Sequence, residues 1–497
     1  MAISLGPEAR LEIALDSTLD APLYRQLFER VRAAILSGQL PAGMRLPSSR
    51  ALAAELGISR STVVLAYELL TSEGYLTSQV GHGTRVAGHL AAPPPATPAP
   101  GGETATLSSR PNPRLAARLA ALEGIPKGLV GGVQAVPPFL GGQPALDLFP
   151  YDLWARLLAR NARDALAGRS SYQEAAGIRP LREAIAAHIA VSRGVRCAPE
   201  QIIVTAGTQG ALDLVARVLL DPGDAVWLEN PGYFGVFRAL ALASARLIPV
   251  PVDAEGLDVE AGCRLCPDAR LVAATPSHQF PTGVTMSLRR RIALLDWARR
   301  ADAWILEDDY DSEFRFTGRP LEALQGLDRD RRVLYLGSFS KTLFPALRLG
   351  YVVAPPELVE PLLTARRAID AHPPVLEQLA LADFIREGHF ARHLRRMRQH
   401  YQRRRDCLVG ELRDRLGSLL ELDVPEAGMQ LVGWLPPGVD DRRAADLAAQ
   451  AGLVVLPLSG CALAPLPRGG LVFGFAAFDE ATIRRGVQDL AEALRVL

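Results

Sequence analysis

Between Ala91 and Pro113 the chain carries Pro93, Pro94, Pro95, Pro98, Pro100, Pro111 and Pro113, with Gly101 and Gly102 among them. Proline lacks an N–H and fixes its own φ, so neither a helix nor a sheet ladder can run through such a stretch. The chain must therefore fold as a short unit before this break and a long one after it. The reading places a first domain at 10–88, a linker at 89–126 and a second domain at 127–497. The formal net charge is +1, which excludes a global field aimed at nucleic acid or membrane; any basic site must be local. No apolar stretch approaches the roughly 18 residues of a membrane span, and MAISLGPEAR carries no export pattern, so a cytoplasmic protein without membrane contact is expected. Cys263-Arg-Leu-Cys266 stands without a second pair and reads as structural, and no metal site is expected.

In the short unit, Tyr24, Leu27, Phe28, Val31 and Ile35 follow helical spacing up to Gly38. A second helix begins near Pro47-Ser48-Ser49, carries Leu52, Ala53 and Leu56, and stops at Gly57. Ser59 is a good N-cap for a third, whose Val63, Ala66, Tyr67 and Leu70 share one face. Two short helices around a tight turn make a helix-turn-helix. Two β pieces follow, around Gly74-Tyr75-Leu76-Thr77 and Gly81-His82-Gly83-Thr84-Arg85-Val86, and complete a winged version.

The third helix presents Arg60, Ser61 and Thr62 at its amino-terminal end, where a recognition helix meets bases and phosphates of double-stranded DNA. Arg45 and Arg50 flank the second helix, and His82 with Gly83 would enter the minor groove from the wing. Residues 1–90 hold eight Arg against eight Asp plus Glu, so the electrostatic footprint is weak. The spelling is more specific. LPSSRALAAELGISRSTVVLAYELLTSEGYL followed by GHGTRV resembles the DNA-binding domain of the GntR superfamily of bacterial regulators, which implies operator binding.

Only Lys127 and Lys341 are lysine; arginine supplies all the other basic residues. Arginine cannot replace lysine where a deprotonated amine is needed. In the long unit β-like runs alternate with helical ones, an α/β pattern, and ligands in such folds sit beyond the carboxyl ends of the strands. Four strand-like runs end informatively. Ile202–Thr205 leads to Ala206-Gly207-Thr208-Gln209-Gly210, a phosphate nest at a helix start. Ala225–Leu228 leads to Glu229-Asn230-Pro231-Gly232-Tyr233, which presents an aromatic plate. Ala303–Leu306 leads to Glu307-Asp308-Asp309-Tyr310, and Arg332–Leu336 to Gly337-Ser338-Phe339-Ser340-Lys341. A nest, a plate, a carboxylate and a lysine are what pyridoxal 5′-phosphate requires: an amine for the Schiff base, an acid at the ring nitrogen and donors for the phosphate. Lys127, between Pro126 and Gly128 with no strand before it, reads as a surface residue.

SYQEAAGIRPLREAIAAHI, TAGTQGALDL, ENPGYFG, TPSHQFPTG, EDDYDSEF and GSFSKTLFPALRLGY, in that order, resemble a fold-type I aminotransferase domain from about Asp147 onward. With the winged helix before it, the architecture resembles the MocR-type regulators. The resemblance implies Lys341 as the Schiff-base lysine, Asp308 at the pyridine nitrogen, Tyr310 on the ring hydroxyl and Tyr233 stacked on the ring. It implies Gly207, Thr208, Ser338 and Arg348 around the phosphate, with Tyr172 reaching it from the other subunit of a homodimer. Glu307 and Asp309 read as strand-end structure.

Two departures stand out. Phe280 occupies the place before Pro-Thr-Gly where aminotransferases usually have Asn, so the ring hydroxyl loses a partner. Val472 stands where an arginine often binds a substrate carboxylate, and Arg468 is out of register. The Arg392–Arg398 and Arg403–Arg405 runs read as a solvated helix face or a subunit contact, and His389 with His393 lacks a third metal ligand. The expected function is a pyridoxal phosphate-dependent transcriptional regulator that senses the cofactor or an amino compound. The alternative is an active aminotransferase with a DNA-binding appendage, disfavoured because a metabolic enzyme has no use for a recognition helix.

Overall fold

The computed structural model describes residues 2–4, 10–12, 15–16, 21–79, 83–88, 115–125, 136–164, 171–318 and 321–497. The chain divides into two compact units, Met1–Pro113 and Arg114–Leu497, and the division falls inside the stretch read as linker. Most of that stretch, with Gly81, His82 and Lys127, lies outside the described residues.

In the first unit, β1 (Ala2–Ser4) pairs antiparallel with β2 (Arg10–Glu12). Three helices follow, α1 (Leu23–Leu36), α2 (Ser49–Leu56) and α3 (Arg60–Ser72), then the hairpin β3 (Leu76–Gln79) and β4 (Gly83–Val86). The caps explain the short helices. Ser48 accepts from the Ala51 N–H and Ser59 from the Thr62 N–H, satisfying orphan donors at both starts. Gly57 closes α2 at φ +66°, a left-handed conformation that costs glycine nothing. Leu27, Val31, Leu52, Val63, Ala66 and Leu70 form one buried core with Leu76 and Val86 of the hairpin.

The second unit is built on an eight-stranded mixed sheet of β5 (Ile202–Thr205), β6 (Ala225–Asn230), β7 (Arg246–Asp253), β8 (Gly256–Leu257), β9 (Leu271–Ala274), β10 (Trp304–Asp309), β11 (Val333–Ser338) and β12 (Gly350–Val353). Its order is β5-β12-β11-β10-β9-β6-β7-β8, with β12 antiparallel to both β5 and β11. From β11 through β10, β9 and β6 to β7 the pairing is parallel, so β6, β10 and β11 end at the same edge. β5 runs in the direction of β11, because both oppose β12. All residues of β5, β6, β10 and β11 are buried, as expected of strands covered on both faces. A second sheet of order β13-β14-β16-β15 is formed by β13 (Glu421–Leu422), β14 (Gln430–Trp434), β15 (Leu456–Pro457) and β16 (Gly470–Gly474). The architecture is a winged helix-turn-helix followed by a fold-type I aminotransferase-like domain.

The basic helix His389–Leu416 departs from expectation. Arg404 and Arg405 are buried, and Arg396, Arg398, Arg404 and Arg405 donate to the carbonyls of Leu148, Glu313, Ala476 and Pro425. Much of this charge caps and ties its own domain, where the sequence suggested a solvated face or a subunit contact; Arg392, Arg395, Arg396 and Arg403 stay exposed. His393 is likewise committed, to the Thr342 carbonyl at 3.1 Å. Among the described residues no helix is long and apolar enough to cross a membrane.

Candidate functional site

The end of β10 carries three consecutive buried carboxyl side chains, and the fold treats each differently. Glu307 accepts from the Leu324 and Gln325 N–H groups at 2.8 and 2.9 Å, which fixes the start of a short helix. Asp309 pairs with Arg193 at 2.6 Å and accepts from the Tyr335 hydroxyl at 2.7 Å. Both are structural, as the sequence indicated. Asp308 Oδ1 is buried and has no hydrogen-bond partner among the described residues. Burial raises its pKa to about 7, reinforced by Asp309, Glu229 and Asp311 and opposed by Lys341.

Lys341 follows β11 and donates from Nζ to the Gly142 carbonyl at 2.7 Å. Burial holds its pKa below the ordinary lysine value, although Asp311 and Asp308 act to raise it. Gly142 has φ +73°, and a Cβ there would stand 2.9 Å from Nζ. That contact was not read from the sequence; the Gly141-Gly142 pair was its only signal.

At the end of β5, Gly207 opens the helix Gly207–Leu219 at φ +73°. A Cβ at Gly207 would lie 3.1 Å from Arg348 Nη1, so glycine lets the guanidinium lie over the helix start. Arg348 Nη2 donates to the Ala206 carbonyl at 2.8 Å. A guanidinium beside exposed helix N–H groups is an anion cradle. Thr208 is partly buried in the first turn, and Ser338 ends β11, its Oγ accepting from the Ser340 N–H at 3.2 Å.

The aromatic wall is more extensive than expected. Phe280 stands edge-on to Tyr233 and to Tyr310, with ring centroids at 5.6 and 6.2 Å. The residue that replaces Asn therefore links the two predicted cofactor tyrosines. Tyr310 is hydrogen-bonded to His278, a residue that sequence reasoning passed over. Tyr172 is 87% exposed beside His372 and stands apart from this set in the single chain. Val472 is buried against Val432 and Leu458, while the Arg468 guanidinium donates to the Leu435 carbonyl and Glu421. Neither position offers a free guanidinium to a carboxylate.

In the first unit, Arg60 and Ser61 are exposed at the start of α3 and Thr62 is half-buried. The Ser59 hydroxyl lies 2.8 Å from that of Ser61 and 2.7 Å from that of Thr62, so the cap gathers both hydroxyls. Arg45 and Arg50 are exposed. Gly83, at φ +82°, leaves room for Arg45, whose Nε would lie 2.9 Å from a Cβ there. The ion pair Arg32–Glu29 sits within α1 and draws on none of these arginines. His82 lies outside the described residues.

The gntR family of bacterial regulatory proteins matches residues 23–86, and the class I and II aminotransferases match residues 148–490. Over 488 residues the chain is 42% identical to the probable rhizopine catabolism regulatory protein MocR of Rhizobium meliloti, spanning 98% of this chain and 96% of that protein. The chain belongs to the MocR-type regulators of the GntR superfamily. Another relative is the pyridoxine biosynthesis transcriptional regulator PdxR of Corynebacterium glutamicum, 33% identical over 98% of this chain and 99% of its own length. The α-aminoadipate aminotransferase LysN of Thermus thermophilus, solved with N-(5′-phosphopyridoxyl)-L-leucine, matches with a TM-score of 0.67 and 32% identity, covering 76% of this chain and 94% of that one.

Pyridoxal 5′-phosphate is the cofactor of this MocR-type regulator, and its residues fit the group. The unpartnered Asp308 oxygen suits a protonated ring nitrogen, the Gly207–Arg348 cradle suits a phosphate, and the Lys341 amine has a lowered pKa. A pH signature follows. Asp308 keeps its proton in the fold to about pH 7, against 3.8 for the ordinary side chain. Between those values the folded chain binds more protons, so stability falls as pH rises through the window. Asp308→Asn removes this loss. In cofactor-free protein the melting temperature of the variant relative to the unmodified chain is expected to climb from about pH 4 to about pH 7 and then level off. A difference that stays flat shows that Asp308 is ionised in the fold throughout.

Proposed function

We propose that this chain regulates transcription by coupling the state of its pyridoxal phosphate site to its grip on an operator. The carrying observation is the pairing, in one chain, of an exposed Arg60 at a capped helix start with the site assembled around Lys341 and Asp308. When bound, the cofactor supplies an aldehyde that reacts reversibly with primary amines and a ring that withdraws electrons. Lys341 is the amine that takes it up, and Asp308 accepts from the ring nitrogen. Tyr233 stacks on the ring and Tyr310 donates to its hydroxyl. Gly207, Thr208, Ser338 and Arg348 hold the phosphate, joined by Tyr172 of the partner subunit in a homodimer. Residues 10–88 form the DNA-binding unit and residues 127–497 the effector unit, acting in the cytoplasm.

The dimer presents two recognition helices to paired half-sites, with Arg45, Arg50, Arg60, Ser61, Thr62, His82 and Gly83 facing the DNA. The effector is the cofactor itself or an amine that reacts with it. An effector selected by its α-carboxylate fits less well, because Val472 is packed in an apolar cluster and Arg468 is already bound. The PdxR relative, named for pyridoxine biosynthesis, supports a role in vitamin B6 supply.

Titrating the DNA upstream of the chain's own gene with cofactor-free and pyridoxal phosphate-loaded protein, at one salt concentration, tests the coupling. A difference in affinity or footprint is expected. Equal binding by the two forms removes the cofactor as the signal and leaves an amine. Sustained transamination without sequence-specific DNA binding overturns the reading in favour of an enzyme. Lys341→Ala is expected to abolish borohydride trapping of the cofactor, measured as a lost mass increment; retained trapping moves the linkage elsewhere. Arg60→Ala is expected to weaken specific binding by about 1–3 kcal/mol if the guanidinium reads a base. An unchanged footprint returns Arg60 to the solvated surface.

A further inference from the structure

His278 is 3% exposed, and its Nδ1 lies 3.1 Å from the Tyr310 hydroxyl and 3.0 and 3.1 Å from the two Asp311 oxygens. Asp311 is itself 1% exposed. With the Asp311 oxygens accepting, Nδ1 carries the imidazole proton. That N–H also faces the Tyr310 oxygen, which leaves the tyrosine's own proton pointing away from the histidine. Nε2, on the far side of the ring, is buried without a partner among the described residues. Two glycines make room for the ring: a Cβ on Gly428 would run into Cε1, and one on Gly283 would stand 3.3 Å from Nε2. Phe280, which also stands against Tyr310, carries no donor.

We propose that His278, held by Asp311, is a positioning residue that turns the Tyr310 proton toward the ring hydroxyl of the cofactor, compensating for the donor that Phe280 cannot supply. This rests on reading Tyr310 as the partner of that hydroxyl. A proton donated to the ring oxygen favours its ionised form, so losing the arrangement makes ionisation harder. The other ionisable groups acting on Tyr310 are Asp311, Asp308, Glu229 and Asp309, and those acting on Lys341 are Asp311, Asp308 and Arg348. Changing His278 takes the imidazole partner from Asp311, and the double variant with Tyr310→Phe separates that effect from one exerted through Tyr310.

The test is a spectrophotometric pH titration of the cofactor-loaded full chain, with the melting of each cofactor-free variant as a folding control. His278→Leu is expected to raise the midpoint of the visible absorbance change by about half a unit to one unit, the effect of one hydrogen bond, and to weaken cofactor binding about 3- to 10-fold. Tyr310→Phe is expected to shift it at least as far, and the double variant no further than Tyr310→Phe alone. His278→Asn, which keeps an N–H near the place of Nδ1, is expected to restore most of the midpoint. If His278→Leu does not fold, His278→Gln, whose amide overlies Nε2, replaces it with the same expected shift. A shift with Tyr310→Phe but not with His278→Leu or His278→Gln overturns the proposal and leaves the Tyr310 reading standing. No shift with either residue overturns both.

Discussion

Three adjacent acids at the end of one buried strand set the terms for the large unit. A carboxylate taken out of water must be paired, hydrogen-bonded or protonated. Glu307 meets the requirement with two backbone N–H groups, and Asp309 with the Arg193 guanidinium and the Tyr335 hydroxyl. Those two sets of bonds also tie β10 to the helix that begins at Leu324, to β11, and to the helix Arg179–Arg193. Successive side chains of a strand face opposite ways, so Asp308 points away from both solutions. Its Oδ1 is left without a partner among the described residues, and the proposed role at the cofactor's ring nitrogen would complete it.

This economy explains how an aminotransferase fold serves a regulator. The elements that hold a pyridoxal phosphate are strand ends and helix starts, and they are fixed by the core regardless of what happens to the amine afterwards. The places that would select a substrate are different. Val472 sits in an apolar cluster and Arg468 is bound to Leu435 and Glu421, so neither offers a guanidinium to a substrate carboxylate. Fold and reaction are separable for this reason.

Much of the molecule was legible in the sequence because its signals are local. Ser48, Ser59 and Gly57 announce helix ends within a few residues of where they act, and the apolar spacing of α3 names its buried face. The candidate site was legible for a second reason: the strand ends gather there, and the near-absence of lysine draws attention to Lys341. What escaped depends on contacts between distant segments. Gly142 reaches Lys341 across 199 positions, and His278 meets Asp311 across 33. The arginines of the His389–Leu416 helix looked solvated because a run of charge carries no record of the carbonyls that Arg398 and Arg404 find in other segments.

The placement of Lys341 also sets the background against which an aldehyde is detected. Amines exposed on a surface react with aldehydes indiscriminately, and a chain rich in lysine would scatter the cofactor over many weak sites. Here arginine supplies the surface charge, and guanidinium groups stay protonated and unreactive toward aldehydes. Among the described residues the one lysine amine is partly buried, lowered in pKa and aimed by a backbone carbonyl. Labelling at Lys341 would therefore be read against one other lysine, Lys127, and not against a surface covered in them.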